Sequence, residues 1–205
     1  MTIRDLLKIS QAQLATDTAT LDCELLLCHC LGKERAYLYT WPEQIIEAPI
    51  EKIFHELLNR RIKGEPIAYL LGQREFWSLS LRVNNSTLIP RPDTERLVEV
   101  ALQLLIQDRA SVLDLGTGTG AIALALAKEN PYWQLCGVEI DEAAVQLAQQ
   151  NARDLALENI QFMQSNWFEN IAPQYFDMIV SNPPYVAADD PHLTQGDVRF
   201  EPRRA

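Results

Sequence analysis

The segment Ser111-Val112-Leu113-Asp114-Leu115-Gly116-Thr117-Gly118-Thr119-Gly120-Ala121 decides the fold of this chain. Its apolar first half predicts a buried strand at residues 112–115, and the Ala- and Leu-rich run that follows predicts a helix at residues 121–128. Glycines between a strand and a helix let the backbone adopt positive φ and approach a ligand closely. The segment therefore predicts a nucleotide-type crevice at the carboxyl end of the strand.

The chain on either side of the glycines alternates between strand and helix patterns. Further strands are predicted at residues 134–140, 160–163 and 176–180, a helix at 141–155, and an earlier helix that begins near Pro90 and runs to Ile106. This alternation predicts an α/β fold, a Rossmann-like parallel sheet with helices on both faces. Because residues 111–202 supply only four clear strands, we expect the sheet to be incomplete at its C-terminal end.

Two smaller parts precede the sheet. Residues 1–72 are predicted to form an all-α bundle, with a second helix that begins at Asp17 or Thr18 and ends at Gly32, and a third helix at residues 46–62. The alternating residues 76–89 predict a β-hairpin with Asn84-Asn85 as its turn. The predicted domains are thus the bundle at 1–72, a hairpin linker at 73–90 and a cofactor-binding domain at 91–205.

Composition narrows the class of protein. The formal net charge is −10, whereas a protein that mainly grips phosphate backbones usually has a basic face, so we expect no direct nucleic-acid substrate. Apolar runs are too short to span a membrane and the N-terminus lacks a signal-peptide pattern, so we expect a cytoplasmic protein. Its four cysteines are expected to be reduced core residues. A metal site at Cys28-His29-Cys30 is not expected, since no second ligand pair follows at zinc spacing.

The tetrapeptide Asn182-Pro183-Pro184-Tyr185 follows the last predicted strand. The prolines have fixed φ and no backbone donors, so the turn is stiff and rich in acceptors. The side-chain oxygen of Asn182 and the carbonyl of Pro183 can both accept hydrogen bonds from one NH2 group, and Tyr185 can lie flat against the plane of that group. This arrangement favours methyl transfer to an amide or an exocyclic amine through positioning and polarisation.

Two cofactor classes fit the glycine loop, which we define as residues Gly116 to Gly120. A nicotinamide dinucleotide would place its pyrophosphate at the helix N-terminus, and Gly116-x-Gly118-x-x-Ala121 loosely fits that fingerprint. Asp114, expected beside the loop, would repel a pyrophosphate, whereas S-adenosyl-L-methionine has no phosphate and bears a sulfonium and an ammonium. Glu139, at the end of the next strand, has the spacing of a carboxylate that binds both ribose hydroxyls. Together with the tetrapeptide, these residues favour S-adenosyl-L-methionine.

Residues 164–168, Gln-Ser-Asn-Trp-Phe, follow the third predicted strand. Trp167 could pack against adenine and Asn166 could hydrogen-bond its edge. From the sequence alone, Trp167 could equally well be buried in the core.

The sequence resembles the bacterial N5-glutamine methyltransferases that act on class 1 peptide chain release factors. The resemblance covers essentially the whole chain. Besides the glycine loop and Asn-Pro-Pro-Tyr, it rests on these segments: Arg60-Arg61, Gly64-Glu65-Pro66-Ile67-Ala68-Tyr69, Gly72, Arg74-Glu75-Phe76-Trp77, Leu88-Ile89-Pro90-Arg91-Pro92-Asp93-Thr94-Glu95 and Gly196-Asp197-Val198-Arg199-Phe200-Glu201-Pro202. Many methyltransferases share the glycine loop, so the combination with Ile-Pro-Arg-Pro-Asp-Thr-Glu makes the resemblance specific.

The resemblance implies a function as well as a fold. It implies methylation of the side-chain nitrogen of the glutamine in the Gly-Gly-Gln motif of release factors, a class I methyltransferase domain and an N-terminal bundle that docks the release factor. Matching positions imply cofactor contacts at Gly116, Thr117, Gly118, Thr119, Gly120, Glu139, Trp167 and Asn182. They imply substrate contacts at Asn182, Pro183, Pro184 and Tyr185, of which Asn182, Pro183 and Tyr185 are the candidate catalytic residues.

The sequence departs from the family pattern at two places. Asn166 stands where many relatives have Asp, and the chain ends at Arg203-Arg204-Ala205 whereas family members continue for further strands. We therefore expect an unpaired strand edge and exposed apolar surface. Three alternatives stay open: methylation of a glutamine on ribosomal protein L3, methylation of adenine N6 in nucleic acid after base flipping, and binding without turnover.

Overall fold

The computed structural model describes residues 1–187, 190–194 and 196–202. The C-terminal Arg203-Arg204-Ala205 lie outside these described residues. The chain divides after Leu71 into two compact units, which are treated separately below. None of the helices in the described part of the chain combines the length and the apolarity needed to cross a bilayer.

The first unit is helical, as predicted. Its helices are α1 (Ile3–Gln11), α2 (Ala19–Leu31), α3 (Arg35–Thr40), α4 (Ala48–Ile62) and α5 (Ile67–Leu71). The short α3 and α5 were not predicted, because a helix of five or six residues shows too little periodicity to detect. Of the two predicted starts for α2, Thr18 is the N-cap, and Gly32 ends the helix with a φ of +61°.

Apolar side chains of α1, α2 and α4 form the core of this unit, with Leu6, Leu26 and Phe54 fully buried. Two buried acids of α2 are paired. The Asp22 carboxylate accepts a hydrogen bond of 2.8 Å from Arg61 of α4, and the Glu24 carboxylate accepts one of 2.9 Å from Arg35 of α3. All four cysteines of the chain are free thiols.

The hairpin of the second unit lies earlier than predicted. Strand β1 (Gln73–Phe76) pairs antiparallel with β2 (Leu79–Arg82). The turn is formed by Trp77 and Ser78, with φ of +52° and +58°. The prediction of a turn at Asn84-Asn85 is therefore wrong. Asn84 instead accepts a 2.9 Å bond from the Ser86 amide in the following loop, a local bond that asparagine makes in many non-hairpin turns.

The sheet of the second unit has four parallel strands in the order β5-β4-β3-β6. They are β3 (Ser111–Leu115), β4 (Gln134–Glu139), β5 (Ile160–Gln164) and β6 (Met178–Ser181), and the helices are α6 (Glu95–Leu104), α7 (Ala121–Glu129) and α8 (Glu142–Asp154). Strand β3 lies between β4 and β6, so the order reverses there, and ligands bind outside the carboxyl ends of strands at such a point.

The placement of the helices differs from the expectation of helices on both faces. Helices α6, α7 and α8 contribute to one apolar cluster with Val112, Phe162 and Val180, whereas Leu113 and Val138 lie in a second cluster. Consecutive right-handed crossovers from β3 to β4 to β5 place their helices on the same face. The connection from β5 to β6, described throughout, contains no helix and covers the second face with Ile171 and Phe176.

The sheet edge at β6 matches the expectation of exposed apolar surface. Strand β6 has β3 as its only partner among the described strands. Ile179 of β6 is 50% exposed and the preceding Tyr175 is 99% exposed.

Candidate active site

Two cavities meet at the carboxyl ends of the sheet strands. The first has a volume of about 200 Å³ and is lined by the loops that follow β3, β4, β5 and β6. The second has a volume of about 420 Å³ and lies beside the tetrapeptide and the start of α6. The residues Leu88, Arg91, Thr94, Asn182, Pro183 and Pro184 line both cavities. They form a common wall between them.

The glycine loop forms one side of the first cavity. Gly116, Thr117, Gly118 and Thr119 line it. The amides of Gly116 and Thr117 donate to the Val138 carbonyl at 2.9 and 3.0 Å, so the loop is fixed to β4. A Cβ placed on Gly116 would meet no atom within 4 Å, but its φ of +70° explains why glycine is used there.

Gly120 differs from the other predicted loop residues because it does not line either cavity. A Cβ on Gly120 would lie 2.8 Å from Cζ of Phe162, and a Cβ on Gly137 of β4 would lie 2.4 Å from Cδ1 of the same ring. The Phe162 ring thus packs directly under the loop, where only glycine leaves room. Gly137 was missed by the sequence prediction, since a lone glycine within a strand signals a close approach only in general terms.

Asp114 lies beneath the loop rather than in the cavity, which corrects the expectation that it stands beside the ligand. It is 1% exposed, and its Oδ2 accepts a 2.6 Å hydrogen bond from the Thr117 hydroxyl. Burial raises the pKa of Asp114 to about 6, although the bonds from Thr117 and from the Ala123 amide act in the opposite direction. Asp114 is therefore too far inside the fold to repel a pyrophosphate, and it does not distinguish a nicotinamide dinucleotide from S-adenosyl-L-methionine.

Glu139 lies at the end of β4 and lines the first cavity. Its Oε2 accepts a hydrogen bond of 3.0 Å from the Gly118 amide, and its Oε1 accepts one of 2.8 Å from the Ile140 amide. These bonds connect the carboxylate to the glycine loop and fix its direction. Each carboxylate oxygen keeps further acceptor capacity toward the cavity.

Trp167 is 51% exposed and lines the first cavity, so the interpretation as a core tryptophan is wrong. Its φ is +52°, an uncommon value for a bulky residue. The loop that holds it is stabilised by Ser165, whose hydroxyl donates to the Trp167 carbonyl at 2.8 Å and accepts from the Asn170 amide at 3.0 Å. Asn166 also lines this cavity, but its amide donates to Glu169 at 2.8 Å.

The tetrapeptide begins directly after β6. The Ser181 hydroxyl donates to the Leu115 carbonyl at 2.8 Å, which ties the end of β6 to the end of β3. Asn182 donates from Nδ2 to the Thr94 hydroxyl at 3.3 Å. Tyr185 is 84% exposed and lines only the second cavity. The predicted residues are thus divided, with Gly116–Thr119, Glu139 and Trp167 at the first cavity and Tyr185 at the second.

Arg91 and Thr94 are site residues that the reasoning from single residues missed. The Arg91 guanidinium donates to both carboxylate oxygens of the buried Glu201, at 2.9 and 2.7 Å. Burial raises the pKa of Glu201 despite the neighbouring guanidinium. The sequence signal for both residues lies in the segment Ile-Pro-Arg-Pro-Asp-Thr-Glu, whose residue types by themselves predict no ligand contact.

A family model described as "Methyltransferase small domain" matches residues 94–197, and one described as "PrmC N-terminal domain" matches residues 5–72. The chain is 53% identical over 205 residues to the release factor glutamine methyltransferase of Shewanella oneidensis, covering 99% of this chain and 72% of that protein. It is 54% identical over 209 residues to that of Aliivibrio fischeri, covering 100% of this chain and 74% of that protein.

Among solved structures, a Pyrococcus abyssi tRNA (uracil-54, C5)-methyltransferase in complex with S-adenosyl-L-homocysteine superposes with a TM-score of 0.46 and 19% identity. It covers 55% of this chain and 28% of that one. A methyltransferase from Pyrococcus furiosus superposes with a TM-score of 0.44 and 24% identity, covering 52% of this chain and 53% of that one.

Proposed function

The chain belongs to the release factor glutamine methyltransferase family, and we propose that it transfers a methyl group from S-adenosyl-L-methionine to the side-chain amide nitrogen of a glutamine in a release factor. One observation supports this most directly. Asn182, Pro183 and Pro184 of the tetrapeptide stand in the wall between the two cavities, and Tyr185 lines the second, so an acceptor amide held by the tetrapeptide faces a cofactor in the first cavity. The acceptor chemistry corresponds to the glutamine of a Gly-Gly-Gln motif, and a release factor substrate implies action in the cytoplasm.

The first cavity fits S-adenosyl-L-methionine through the chemistry of its lining. Its charged side chains are Glu139, Asp141 and Arg91. A carboxylate at the end of β4 suits a ribose diol, and the exposed Trp167 ring offers a flat surface for adenine. Two acids in the lining suit a cofactor that bears cationic groups and no phosphate. Gly116 leaves open space where the loop backbone approaches the ligand.

When bound, S-adenosyl-L-methionine supplies an electrophilic methyl group on a sulfonium. The protein's part is to hold and polarise the amide that accepts it. In our proposal, Asn182 Oδ1 and the Pro183 carbonyl accept hydrogen bonds from the glutamine NH2, which places electron density on nitrogen and aims it at the first cavity. Tyr185 lies against the amide plane from the second cavity. The proton lost from nitrogen passes to solvent.

The second cavity is proposed to take the loop that bears the glutamine. It shares Asn182, Pro183 and Pro184 with the first cavity, and it is also lined by the exposed Tyr185. Its lining combines the apolar side chains Leu97, Val186 and Val198 with the polar Arg91 and Asp93. A lining of this kind suits a peptide segment, whose backbone needs polar partners along an apolar path.

The proposal is tested by transfer of radiolabelled methyl from S-adenosyl-L-methionine to four acceptors in parallel. These are a release factor, the same factor with its Gly-Gly-Gln glutamine replaced by alanine, ribosomal protein L3 and duplex DNA. We expect label on the intact release factor alone. Label on L3 or on DNA would assign a different acceptor, and binding of the release factor without label on any acceptor would support a binding role instead.

A further inference from the structure

Thr94 and Asn182 are in contact although they are 88 positions apart in the chain. Asn182 Nδ2 lies 3.3 Å from Thr94 Oγ1, and both residues line both cavities. Among the hydrogen bonds resolved in the described residues, this is the one made by the Asn182 side chain. The contact therefore lies at the point where the proposed acceptor and the cofactor would meet.

The Thr94 hydroxyl is available to Asn182 because it does not cap the helix. A short 3₁₀ helix at Pro92–Thr94 leads directly into α6, and Thr94 itself has helical dihedral angles, φ −70° and ψ −20°. A capping threonine needs a non-helical backbone, and the Thr94 side chain makes no capping hydrogen bond. The hydroxyl therefore meets Asn182 without competition from the amides of the first turn of α6.

The turn that holds Thr94 is fixed on both sides. On one side Arg91 is bound by the buried Glu201, and the Thr94 amide donates to the Arg91 carbonyl at 3.0 Å. On the other side Glu95 accepts a 2.9 Å bond from the Trp77 amide of the hairpin turn. The Thr94 hydroxyl is thus held at a set position against Asn182.

The chemistry of a primary amide gives this contact a consequence. Asn182 has one acceptor, Oδ1, and two N–H donors on Nδ2. To bind a substrate NH2 group, Asn182 must turn Oδ1 toward it. With the amide rotated by 180°, the Nδ2 donors would face the substrate's own N–H donors and no hydrogen bond could form. The Thr94 hydroxyl can accept from Nδ2 or donate to Oδ1; in this structure it is Nδ2 that lies 3.3 Å from the hydroxyl oxygen, which leaves Oδ1 free for the substrate.

We propose that Thr94 is a positioning residue, which holds the Asn182 amide in the orientation that presents Oδ1 to the acceptor nitrogen. This inference rests on the proposed function for its substrate, but the orientation of Asn182 is a property of the chain alone. Arg91 and Glu201 act one step further away, by fixing the turn that bears Thr94.

The test compares three variants with the wild type. Thr94→Val removes the hydroxyl at nearly constant volume, Thr94→Ser keeps it, and Thr18→Val is the control, since the Thr18 side chain likewise makes no capping hydrogen bond at a helix start. We expect Thr94→Val to lower kcat by about two- to tenfold, the effect of one lost hydrogen bond, with cofactor affinity and KM for the release factor nearly unchanged. Thr94→Ser should restore most of kcat, and Thr18→Val should leave it unchanged.

A double-mutant cycle and a spectroscopic readout separate positioning from a structural role. Because Thr94 acts through Asn182, Thr94→Val should cause no further loss in an Asn182→Ala background. In ¹⁵N-labelled protein, the Asn182 side-chain NH2 signal, assigned by its loss in Asn182→Ala, should show slower hydrogen exchange in the wild type and Thr94→Ser than in Thr94→Val. This second readout needs no acceptor, so it decides the inference even if the wild type fails to methylate a release factor. Unchanged kcat and unchanged exchange in Thr94→Val would overturn it.

Discussion

At the residue scale, the chemistry of the site depends on a few side chains whose surroundings are unlike those of the surface. Asn182 follows the end of β6, where Ser181 is bonded to β3, so its position is set by the sheet. Asp114 and Glu201 are acids that the fold buries, and each has a raised pKa as a result. Asn182 and Asp114 each give a prediction that a single substitution can test.

Replacing Asn182 by alanine should abolish most methyl transfer while leaving cofactor binding largely intact. We expect kcat to fall by about 10²–10³, as for loss of one preorganised group at a reacting centre. Steady-state kinetics with a release factor and calorimetry with S-adenosyl-L-homocysteine measure the two effects. Asn85→Ala, at an exposed asparagine outside both cavities, is the control. Normal turnover by Asn182→Ala would refute the proposed grip.

Replacing Asp114 by asparagine should make stability less dependent on pH. The folded-state pKa of about 6 lies above the ordinary value of 3.8, so the stabilising effect of the protonated carboxyl is complete below pH 3.8 and is lost as the pH rises through 6. Asparagine is neutral throughout. Between pH 4 and pH 7 the wild type should therefore lose up to about 3 kcal/mol of unfolding free energy relative to the variant. Urea denaturation across this range measures it, and a constant difference would contradict it.

At the element scale, contacts between distant segments stabilise conformations that the local sequence does not favour. The hairpin turn at Trp77 and Ser78 has positive φ at both residues. Two contacts offset the strain at Trp77, since its indole donates to Glu129 at 2.8 Å and its ring packs against the core. Such a turn stores local strain that a glycine would relieve.

Ser78→Gly should accordingly stabilise the protein by about 0.5–1 kcal/mol, because relief of about 1–2 kcal/mol of left-handed strain exceeds the roughly 0.4–1 kcal/mol that the more flexible unfolded chain of the glycine variant costs. Ser80→Gly, an exposed serine two residues on in strand β2, should instead destabilise it, since glycine weakens a strand. Thermal unfolding of the two variants measures both changes. Destabilisation by Ser78→Gly would show that the turn is not strained.

The ion pair between α2 and α4 gives a prediction for the helical unit. Asp22 and Arg61 are almost fully buried, with side chains 6% and 10% exposed, and Arg61 also donates to the Glu65 carbonyl. Arg61→Met would leave Asp22 buried without this partner and should cost about 3 kcal/mol. The exposed pair Arg4–Glu43 is the control, because Arg4→Met should cost less than about 1 kcal/mol. Chemical denaturation measures the loss of unfolding free energy in each variant. Equal losses would show that burial does not make the Asp22–Arg61 pair more important than the exposed pair.

At the scale of the whole molecule, the residues that line the first cavity all belong to the second unit, from Phe76 to Pro184. S-adenosyl-L-homocysteine at 100 times its Kd should therefore raise the unfolding free energy of that unit by about 2.7 kcal/mol. Hydrogen exchange should slow in residues 116–119, 139–141 and 165–167. Protection confined to residues 1–71 would place the cofactor elsewhere.

Much of the architecture followed from local patterns, since hydrophobic periodicity and glycine placement are properties of short segments. The strands β3 to β6, the helices α7 and α8, the exposed edge at β6 and the glycine loop all lie where the sequence predicts them, within a residue or two. The errors lie where the signal was weak or misleading. The helices α3 and α5 are too short to show periodicity, and Asn84-Asn85 offered a better turn sequence than Trp77-Ser78.

The sequence by itself determined the parallel sheet, the binding crevice after β3 and the acceptor-rich turn after β6, because each depends on residue types within a few positions of one another. Only the tertiary structure decided that Asp114 is buried under the loop, that Trp167 is exposed at the cavity, and that Thr94 meets Asn182 from 88 residues away. Burial, pKa and long-range hydrogen bonds depend on which strands become neighbours. That pairing is a property of the folded chain, and the sequence shows it only indirectly.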